Sequence, residues 1–360
     1  MTEHDFIPGP AGELPESGSF RWEAPSNIAL VKYWGKKAGQ IPMNPSVSFT
    51  LHTCSTQTEL RCRKSGTPSG TPSFEVFLKG SPAPHFREKI QSFFERILPF
   101  QPFLSGYAFE IHTENTFPHS SGIASSASGM AALALCLMDL EQVIYPDMPP
   151  EFFHRKASFL ARLGSGSAAR SVGGNLVHWG AHESVPGSSD LFGIGYPLPV
   201  HSVFGSFRDT ILLVDKGQKQ VSSTAGHGLM QGHPYANARF DQATSRIEAL
   251  QPILEKGDLQ AFIELVESEA LTLHAMMMTS SPYYLLMKPA TLRILEHIRE
   301  FRESANEPVC FTLDAGANVH VLYPEESHEK VYAFIKDTLL PFCQDGQHIC
   351  DRVGAGAKRL

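Results

Sequence analysis

Two hydrophobic periods alternate along the first half of the chain, one typical of strands and one typical of helices. Extended patterns, several with apolar and polar residues in alternation, predict strands at 28–34, 46–51, 56–63, 74–78 and 107–113. Apolar residues that recur every three or four positions predict helices at 86–97, 130–138 and 152–163. Residues 64–73, KSGTPSGTPS, are a cluster of turn formers between two of these strands.

The second half begins after residues 187–199, a connecting stretch rich in Gly, Pro and Ser. Its pattern predicts strands at 210–215, 310–313 and 319–323, and helices at 236–278 (interrupted at Gly257-Asp258), 289–303 and 329–340. This irregular mixture predicts an α+β protein of two domains that divide near residue 200. We expect a flexible or loosely packed tail at 1–20, an N-terminal domain at 21–200 and a C-terminal domain at 201–360.

Composition excludes some classes of protein. The chain has 360 residues, 42% of them hydrophobic and 19% charged, which is ordinary for a globular protein with a large core. The net charge of −7 argues against non-specific nucleic-acid binding. The acidic N-terminus is unlike a signal peptide, and no uninterrupted apolar run has the length of a membrane span. We therefore expect neither a nucleic-acid nor a membrane partner.

The six cysteines predict a reduced, cytoplasmic protein. No two of them form a Cys-x-x-Cys pair, and their spacing is unlike that of zinc modules. Cys136 and Cys310 lie among apolar residues, so we expect both to be buried thiols.

A run of small residues at 118–129, PHSSGIASSASG, leads directly into the predicted helix at 130–138. The first N–H groups of a helix lack intrahelical partners and carry partial positive charge, so such a loop can hold a phosphate. The loop has neither the Lys-Ser/Thr ending of a Walker A loop nor the Gly-x-Gly-x-x-Gly dinucleotide pattern. The alternative is a tight turn capped by Ser125 or Ser126, and the loop by itself leaves both interpretations open.

Three lysines lie in or after an apolar stretch in the sequence APSNIALVKYWGKK at 24–37. Lys32 lies inside that stretch, where burying an unpaired ammonium would be costly. We therefore expect an anionic partner for Lys32, either a carboxylate or a substrate. The alternative is an edge strand whose lysines are solvated.

Two further segments carry one charged residue among small ones. Arg170 lies in GSGSAARSVGG at 164–174 and could bind a carboxylate or phosphate through two N–H groups. The alternative there is a glycine-rich turn with a surface arginine. Asp314 follows the apolar strand at 310–313 and precedes Ala-Gly-Ala-Asn, a position that suits a catalytic carboxylate and equally suits a turn-starting aspartate.

Two histidine arrangements are interpreted as structural. His178 and His182 have the spacing of a helical metal site, but glycines on both sides of His178 argue against a helix there, so we expect a structural or solvent-facing pair. His274 precedes three methionines and fits a helix end packed in the core.

Taken together and in order, these four segments resemble motifs of diphosphomevalonate decarboxylases, a branch of the GHMP kinase superfamily. The superfamily's ATP loop, Pro-x-x-x-Gly-Leu-x-Ser-Ser-Ala, is similar to residues 118–127, with Ile123 in place of Leu. Residues 24–36, 165–170 and 311–318 resemble motifs of the decarboxylase branch. The resemblance implies the α+β, two-domain GHMP kinase fold: an N-terminal domain of the ribosomal protein S5 domain 2-like type, a C-terminal ferredoxin-like α/β sandwich, and an active site in the cleft between them.

The resemblance also implies a role for each matching residue. Asp314 matches the catalytic aspartate that faces the substrate's 3-hydroxyl, Arg170 the arginine that binds its carboxylate, and Lys32 the lysine beside the reacting phosphoryl group. The matching substrate-binding positions are Tyr33, Trp34, Gly35, Lys36, Ser165, Gly166, Ser167 and Thr224. The matching ATP-binding positions are Ser121, Gly122, Ala124, Ser125 and Ser126. No side chain is assigned as a dedicated metal ligand, because Mg²⁺ would arrive on the ATP phosphates, with Ser126 as a candidate ligand.

The activity implied is the ATP-dependent decarboxylation of (R)-5-diphosphomevalonate to isopentenyl diphosphate, ADP, phosphate and CO2, in the mevalonate pathway. ATP and Mg²⁺ are the implied cofactors, and a homodimer is expected. A phosphomevalonate decarboxylase and a mevalonate 3-kinase-like enzyme stay open as alternatives, because the sequence does not show whether Arg61, Arg63 or neither contacts substrate phosphate. A non-catalytic nucleotide-binding module is the remote alternative; it would be marked by loss of Asp314 or Lys32, and both are present.

Overall fold

The computed structural model describes residues 1–10, 12–65, 70–117, 123, 125–217 and 223–360, without the side chains of residues 223 and 224. The strands are β1 (Ser17–Val31), β2 (Ser46–Lys64), β3 (Ser73–Leu78), β4 (Ser81–Pro82), β5 (Tyr107–Asn115), β6 (Leu176–Trp179), β7 (Gly193–Gly195), β8 (Arg208–Leu212), β9 (Cys310–Thr312), β10 (Val319–Tyr323), β11 (His348–Arg352) and β12 (Lys358–Arg359). The helices are α1 (Arg87–Ile97), α2 (Ser125–Ile144), α3 (Pro150–Gly164), α4 (Ser223–Gly228), α5 (Ala236–Lys256), α6 (Leu259–Met278), α7 (Pro289–Ala305) and α8 (His328–Phe334).

The larger of two sheets is built around β1 and β2. They pair antiparallel from Ser17 opposite Arg63 to Val31 opposite Val47. The strand order is β12-β1-β2-β5-β3-β4. β6 pairs with the first residues of β2, and β7 pairs with β6. The predicted strands at 46–51 and 56–63 are therefore two ends of one long strand. The pair β3–β5 is parallel.

Helix α2 lies in the core of the first sheet's domain, where it contacts β1, β2 and α3. By length and composition alone, α2 is apolar enough to span a membrane, although no such segment was expected from the sequence. However, 83% of its most apolar 18 residues are buried inside the protein. A buried core helix passes the same test, so the small residues of α2, such as Ala131 and Ala134, are explained by close packing.

The second sheet is four-stranded and antiparallel, in the order β11-β8-β10-β9. Helices α5 and α6 form the predicted interrupted helical region. Gly257 ends α5 with a left-handed backbone (φ 72°), and the Asp258 side chain accepts a hydrogen bond from Ala261 N–H (3.1 Å) to start α6. Helix α6 contacts both β9 of this sheet and β1 of the first, so it lies where the two sheets meet.

The end of the chain returns to the first sheet. β12 pairs with β1, and Val353 forms an isolated bridge with Leu51. The Asp351 carboxylate in β11 accepts hydrogen bonds from three consecutive backbone N–H groups of β2, those of residues 52–54, at 2.7–2.9 Å. The last residues therefore tie the two sheets together, and the division at residue 200 stays a prediction.

The expectation of a loosely packed N-terminal tail is wrong for two parts of it. Phe6, in a short 3₁₀ turn, is fully buried and stacks on Phe159 with 4.3 Å between the ring centroids. β1 begins at Ser17, inside the expected tail. Phe6 packs the segment against α3, and Glu3 adds an ion pair with buried Arg162 at 3.3 Å.

Several smaller expectations are confirmed. Cys136 and Cys310 are buried free thiols. His178 lies in strand β6, not in a helix, and is fully buried. His274 is buried near the end of α6.

Candidate active site

The anionic partner expected for Lys32 is Asp314, which the fold brings from the second sheet. Lys32 follows β1 and is 1% exposed. Its Nζ donates a hydrogen bond to Asp314 Oδ1 at 3.1 Å, and the Asp314 side chain keeps 30% exposure. Burial lowers the pKa of Lys32, while the charges of Asp314 and Glu269 raise it. The alternative of a solvated edge-strand lysine is therefore wrong.

Arg170 is a buried cation whose ligands are neutral. It ends a 3₁₀ turn, Gly166–Arg170, and is 3% exposed. Its Nε donates to Ser48 Oγ (2.6 Å) and its Nη1 to Ser46 Oγ (2.7 Å). Within the described ranges no carboxylate forms an ion pair with Arg170, so its charge is available to an anion. The alternative of a surface arginine is wrong.

Arg170 and Asp314 belong to one electrostatic environment. Burial lowers the pKa of Arg170 to about 10, and the negative charge of Asp314 opposes that shift. The guanidinium therefore stays charged at neutral pH. It also lies 5.6 Å from the centre of the Trp179 ring and 5.9 Å from that of Tyr33.

The turn at Tyr33–Lys36 lies beside Arg170. Gly35 has φ 95°, and a Cβ there would come within 2.9 Å of the Phe240 ring, so glycine is required. Gly35 N–H donates to His227 Nδ1 at 2.9 Å, and the His227 ring contacts those of Tyr33 (4.4 Å) and Trp34 (4.5 Å). His227 thus fixes this turn.

Two polar groups of the Tyr33–Lys36 turn, a hydroxyl and an ammonium, are suited to binding a ligand. The Tyr33 hydroxyl is buried, with no hydrogen-bond partner in the part of the chain that the structure describes, and burial raises its pKa, so it keeps its proton. Lys36 is half-buried, and its Nζ donates to the neutral side chain of Gln40 at 2.8 Å. A Cβ on Gly166 would lie 2.6 Å from the Tyr33 hydroxyl oxygen, so only glycine fits against it.

The other predicted substrate positions are only partly visible. Ser165 and Ser167 are half-buried at the start of the turn that ends in Arg170. Thr224 lies in α4, and its side chain is outside the described residues, as are residues 221 and 222 before it. Trp34 is buried, 4% exposed, beside His227.

A second cleft, open to solvent, lies at the N-terminus of α2. Its walls include Thr58, Ile111 and Leu133, and Ser125 and Ser126 line its edge. Lys89 from α1 donates a hydrogen bond to Ser126 Oγ at 2.7 Å. The predicted ATP-loop residues Ser121, Gly122 and Ala124 lie outside the described residues.

Arg61, one of the two arginines considered for substrate phosphate, forms an ion pair in the structure. Its guanidinium pairs with Glu59 at 2.9 Å, and its side chain is 52% exposed. Arg61 lies 13 residues after Ser48 on β2, which corresponds to about 40 Å of extended strand. Arg61 and Arg63 therefore lie at the far end of β2 from the Arg170 pocket.

Within the described ranges, no group of three or more His, Cys, Asp or Glu side chains lies close enough together to hold a metal ion. The donors that are present, hydroxyls at the start of α2, suit a magnesium ion whose remaining ligands are phosphate oxygens and water.

Sequence reasoning missed several residues that build these sites. Ser46, Ser48 and His227 hold Arg170 and the Tyr33–Lys36 turn from distant parts of the sequence, and Lys89 belongs to the cleft at α2. The one available signal was that serines at 46 and 48 occupy alternate positions of a strand beside apolar residues.

Comparisons with known proteins agree with the resemblance. Residues 24–191 match the family model described as diphosphomevalonate decarboxylase-like N-terminal domain, and residues 210–355 match that of the mevalonate 5-diphosphate decarboxylase C-terminal domain. The chain is 31% identical over 336 residues to a diphosphomevalonate decarboxylase of Aspergillus fumigatus, a match covering 88% of this chain and 80% of the relative.

Solved structures agree as well. The mevalonate diphosphate decarboxylase of Staphylococcus aureus superposes with a TM-score of 0.81 at 27% identity, covering 96% of this chain and 98% of that one. The structure of MDDEF in complex with MVAPP, AMPPCP and magnesium gives a TM-score of 0.81 at 25% identity, covering 96% and 99%. The implied two-domain α+β GHMP fold is thereby confirmed. This chain belongs to the diphosphomevalonate decarboxylase family.

Proposed function

We propose that this chain catalyses the ATP-dependent decarboxylation of (R)-5-diphosphomevalonate to isopentenyl diphosphate, ADP, phosphate and CO2. The observation that carries the proposal is the pair formed by buried Lys32 and partly exposed Asp314, beside Arg170, a cation with only neutral ligands. These three groups supply a base, a phosphoryl-stabilising ammonium and a carboxylate-binding guanidinium. The names of the relatives support the same reaction.

The chemistry follows from the positions of these groups. Asp314 accepts the proton of the 3-hydroxyl, whose oxygen attacks the γ-phosphorus of ATP and displaces ADP. Lys32 stabilises negative charge on the transferred phosphoryl group. The C3–O bond then breaks with loss of phosphate, and the electron pair of the C1–C2 bond forms the C2–C3 double bond as CO2 leaves. Arg170 holds the carboxylate throughout.

The cleft at α2 suits ATP. Its apolar walls can receive the base, and the N–H groups at the start of α2 can receive phosphates. Ser125 and Ser126, with Ser121, Gly122 and Ala124, are the proposed phosphate contacts, and Ser126 is a candidate ligand for Mg²⁺. When bound with ATP, Mg²⁺ neutralises charge on the phosphoryl group as it transfers. A family structure with AMPPCP and magnesium supports this assignment.

The substrate phosphates are assigned to the turn near Arg170. Lys36 is the half-buried cation there, and the Tyr33 hydroxyl is a donor without a partner in the described ranges. The remaining proposed contacts are Trp34, Gly35, Ser165, Gly166, Ser167 and Thr224. Because Arg61 pairs with Glu59 far along β2, we assign it no contact with substrate.

Lys32 gives the reaction an expected alkaline limit. Since burial favours the neutral amine, the pKa of Lys32 lies below its ordinary value of 10.5, and kcat falls as pH rises through that lowered pKa. The measurement is kcat from about pH 7 to about pH 10, with circular dichroism at each pH to show that the fold persists. A kcat that stays constant until the protein unfolds would contradict a role for the Lys32 ammonium.

Lys89 is expected to assist ATP binding. Its Nζ donates to Ser126 Oγ at 2.7 Å, which places the ammonium at the start of α2, where phosphate charge would arrive. Partial burial against the cleft lowers the pKa of Lys89 to about 8. Lys89→Met should raise KM for ATP by about two- to fivefold, the scale of an exposed charge contact, without changing kcat. Lys330→Met, which removes an exposed lysine of α8, is the control. Equal KM values in the two variants would refute the assignment.

The alternatives differ in products and substrate. Purified chain is incubated with ATP and Mg²⁺ and either the diphosphate or the monophosphate of mevalonate, and kcat/KM is compared. A decarboxylase for the diphosphate prefers that substrate. Equal or better use of the monophosphate would move the assignment to a phosphomevalonate decarboxylase, and a stable 3-phosphorylated product would indicate a kinase.

We further propose a cytoplasmic homodimer whose subunits have domains at 21–200 and 201–360. All six cysteines are free thiols, as a reducing compartment favours. Light scattering after gel filtration measures the mass directly, and a mass near the monomer's 39.6 kDa would reject the dimer.

A further inference from the structure

The backbone of Lys32 is held by a buried ion pair from the C-terminal half of the chain. Glu269 Oε2, on α6, accepts a hydrogen bond from Lys32 N–H at 2.8 Å. Arg239 Nη2, on α5, donates to the Lys32 carbonyl at 3.1 Å. Arg239 and Glu269 also bond to each other at 2.6 Å, and both side chains are fully buried. Both peptide groups that flank the Lys32 Cα are therefore fixed.

The same helix holds Asp314. His274, 1% exposed, lies five residues after Glu269 on α6, and its Nε2 is 3.1 Å from the Asp314 carbonyl oxygen. A carbonyl only accepts, so Nε2 carries the proton. Burial lowers the pKa of His274 to about 4, so the ring is neutral at physiological pH and has this single N–H to donate.

We infer that α6 sets the distance between Lys32 and Asp314, with Glu269 and His274 as positioning residues for the two. Five residues of helix span about 7.5 Å along the axis, and a helix resists stretching because each residue adds a hydrogen bond. Glu269 fixes the lysine's backbone, His274 fixes the aspartate's backbone, and the pair meets at 3.1 Å between Nζ and Oδ1.

The expected effects are kinetic. A misplacement of about 1 Å can cost about 10²-fold in rate, so removing one anchor should reduce kcat and leave substrate binding by Arg170 and Lys36 unchanged. The inference rests on the proposed function, in which Lys32 and Asp314 act on the phosphoryl transfer. ADP release is therefore the readout, because it reports that step even in an enzyme that releases no CO2.

His274 allows a test with a conservative rescue. Leucine at 274 fills similar space without a donor, whereas glutamine can place its amide N–H near the position of Nε2. His274→Leu should lower kcat by about 10- to 100-fold with KM for both substrates within about threefold, and His274→Gln should recover most of that loss. Active-site titration corrects each rate for the folded fraction.

A pH profile separates positioning from mere folding. The charges of Asp314 and Glu269 raise the pKa of Lys32 and that of Arg170 lowers it. The Arg239 guanidinium, bonded to the Lys32 carbonyl, also faces this residue. If His274→Leu lets Asp314 move away, Lys32 loses part of its counter-charge, and the alkaline limb of kcat moves to lower pH. A variant that only destabilised the fold would lower the amount of active enzyme and leave this limb in place.

Glu269 needs a paired substitution, because Glu269→Gln alone leaves the buried Arg239 uncompensated and endangers folding. The double variant Arg239→Met/Glu269→Gln removes both charges and keeps an acceptor for Lys32 N–H. It should lower kcat about tenfold at unchanged KM. The matched control is Arg302→Met/Glu267→Gln, which removes the neighbouring ion pair of α6 and α7 (2.6 Å) that touches neither Lys32 nor Asp314; its kcat should stay within about twofold.

Three results would overturn the inference: a His274→Leu kcat within about threefold of wild type, equal losses in the leucine and glutamine variants, or equal losses in the two ion-pair variants. Wild-type ADP release without CO2 would instead overturn the proposed decarboxylation and leave these comparisons valid.

Discussion

Asp314→Asn is expected to lower kcat by about 10² to 10⁴-fold, the range that a positioned general base supplies. The amide has the size of the carboxylate but accepts no proton from the 3-hydroxyl. It also removes the carboxylate that pairs with the Lys32 ammonium at 3.1 Å, in a residue that is 1% exposed. Because Asp314 acts on the reacting hydroxyl, KM for the mevalonate substrate should stay within about threefold. Steady-state ADP release measures both constants.

The control for this substitution is Asp345→Asn. Asp345 is an exposed aspartate of the same half of the chain and pairs with Lys216 at 3.1 Å. Its removal should leave kcat unchanged. A kcat for Asp314→Asn near the wild-type value would show that proton transfer from the hydroxyl does not need this carboxylate, whatever the family of the chain.

Arg170→Lys is expected to lower kcat/KM by about 10² to 10³-fold. Lysine keeps the charge but cannot donate to Ser46 and Ser48 and to a substrate carboxylate at once, since those contacts use the planar guanidinium. Losing a buried, charged hydrogen bond costs about 2–5 kcal/mol, which corresponds to about 30- to 5000-fold in rate, a range that includes the expected loss. The measurement is kcat/KM for the mevalonate substrate, with thermal unfolding to show that the variant is folded.

Arg61→Lys provides the matched control for Arg170. It makes the same chemical change at the far end of β2, where Arg61 pairs with Glu59 on the surface. We expect its kcat/KM to equal that of wild type. If Arg61→Lys lost as much activity as Arg170→Lys, the placement of the substrate beside Arg170 would be wrong.

The fold could be predicted where apolar periodicity is strong. Helices α1, α3 and α7 each carry one apolar face, and the Gly257-Asp258 break was visible because glycine and aspartate have clear roles at helix ends. Strands β6 and β11 were missed for opposite reasons. All four residues of Leu176–Trp179 are buried, so apolar and polar residues do not alternate along β6. His348–Arg352 is largely polar, and it forms a strand because it pairs with β8 of the second sheet.

The site could be predicted only where its residues lie in local motifs. Lys32, Arg170 and Asp314 are charged residues among small or apolar ones, which makes each conspicuous in the sequence. Glu269 and His274 are polar residues within a long helix. They are buried because they contact Lys32 and Asp314, which lie 237 and 40 positions away along the chain. Such contacts depend on how two sheets dock, and no local pattern records that.

The proposed decarboxylation is tested most directly by the ratio of products from mevalonate diphosphate labelled at its carboxyl carbon. With ATP and Mg²⁺ in excess, the wild-type chain is expected to release one labelled CO2 and one phosphate for every ADP formed. ADP formed without labelled CO2, with the label retained in a stable 3-phosphorylated acid, would contradict it.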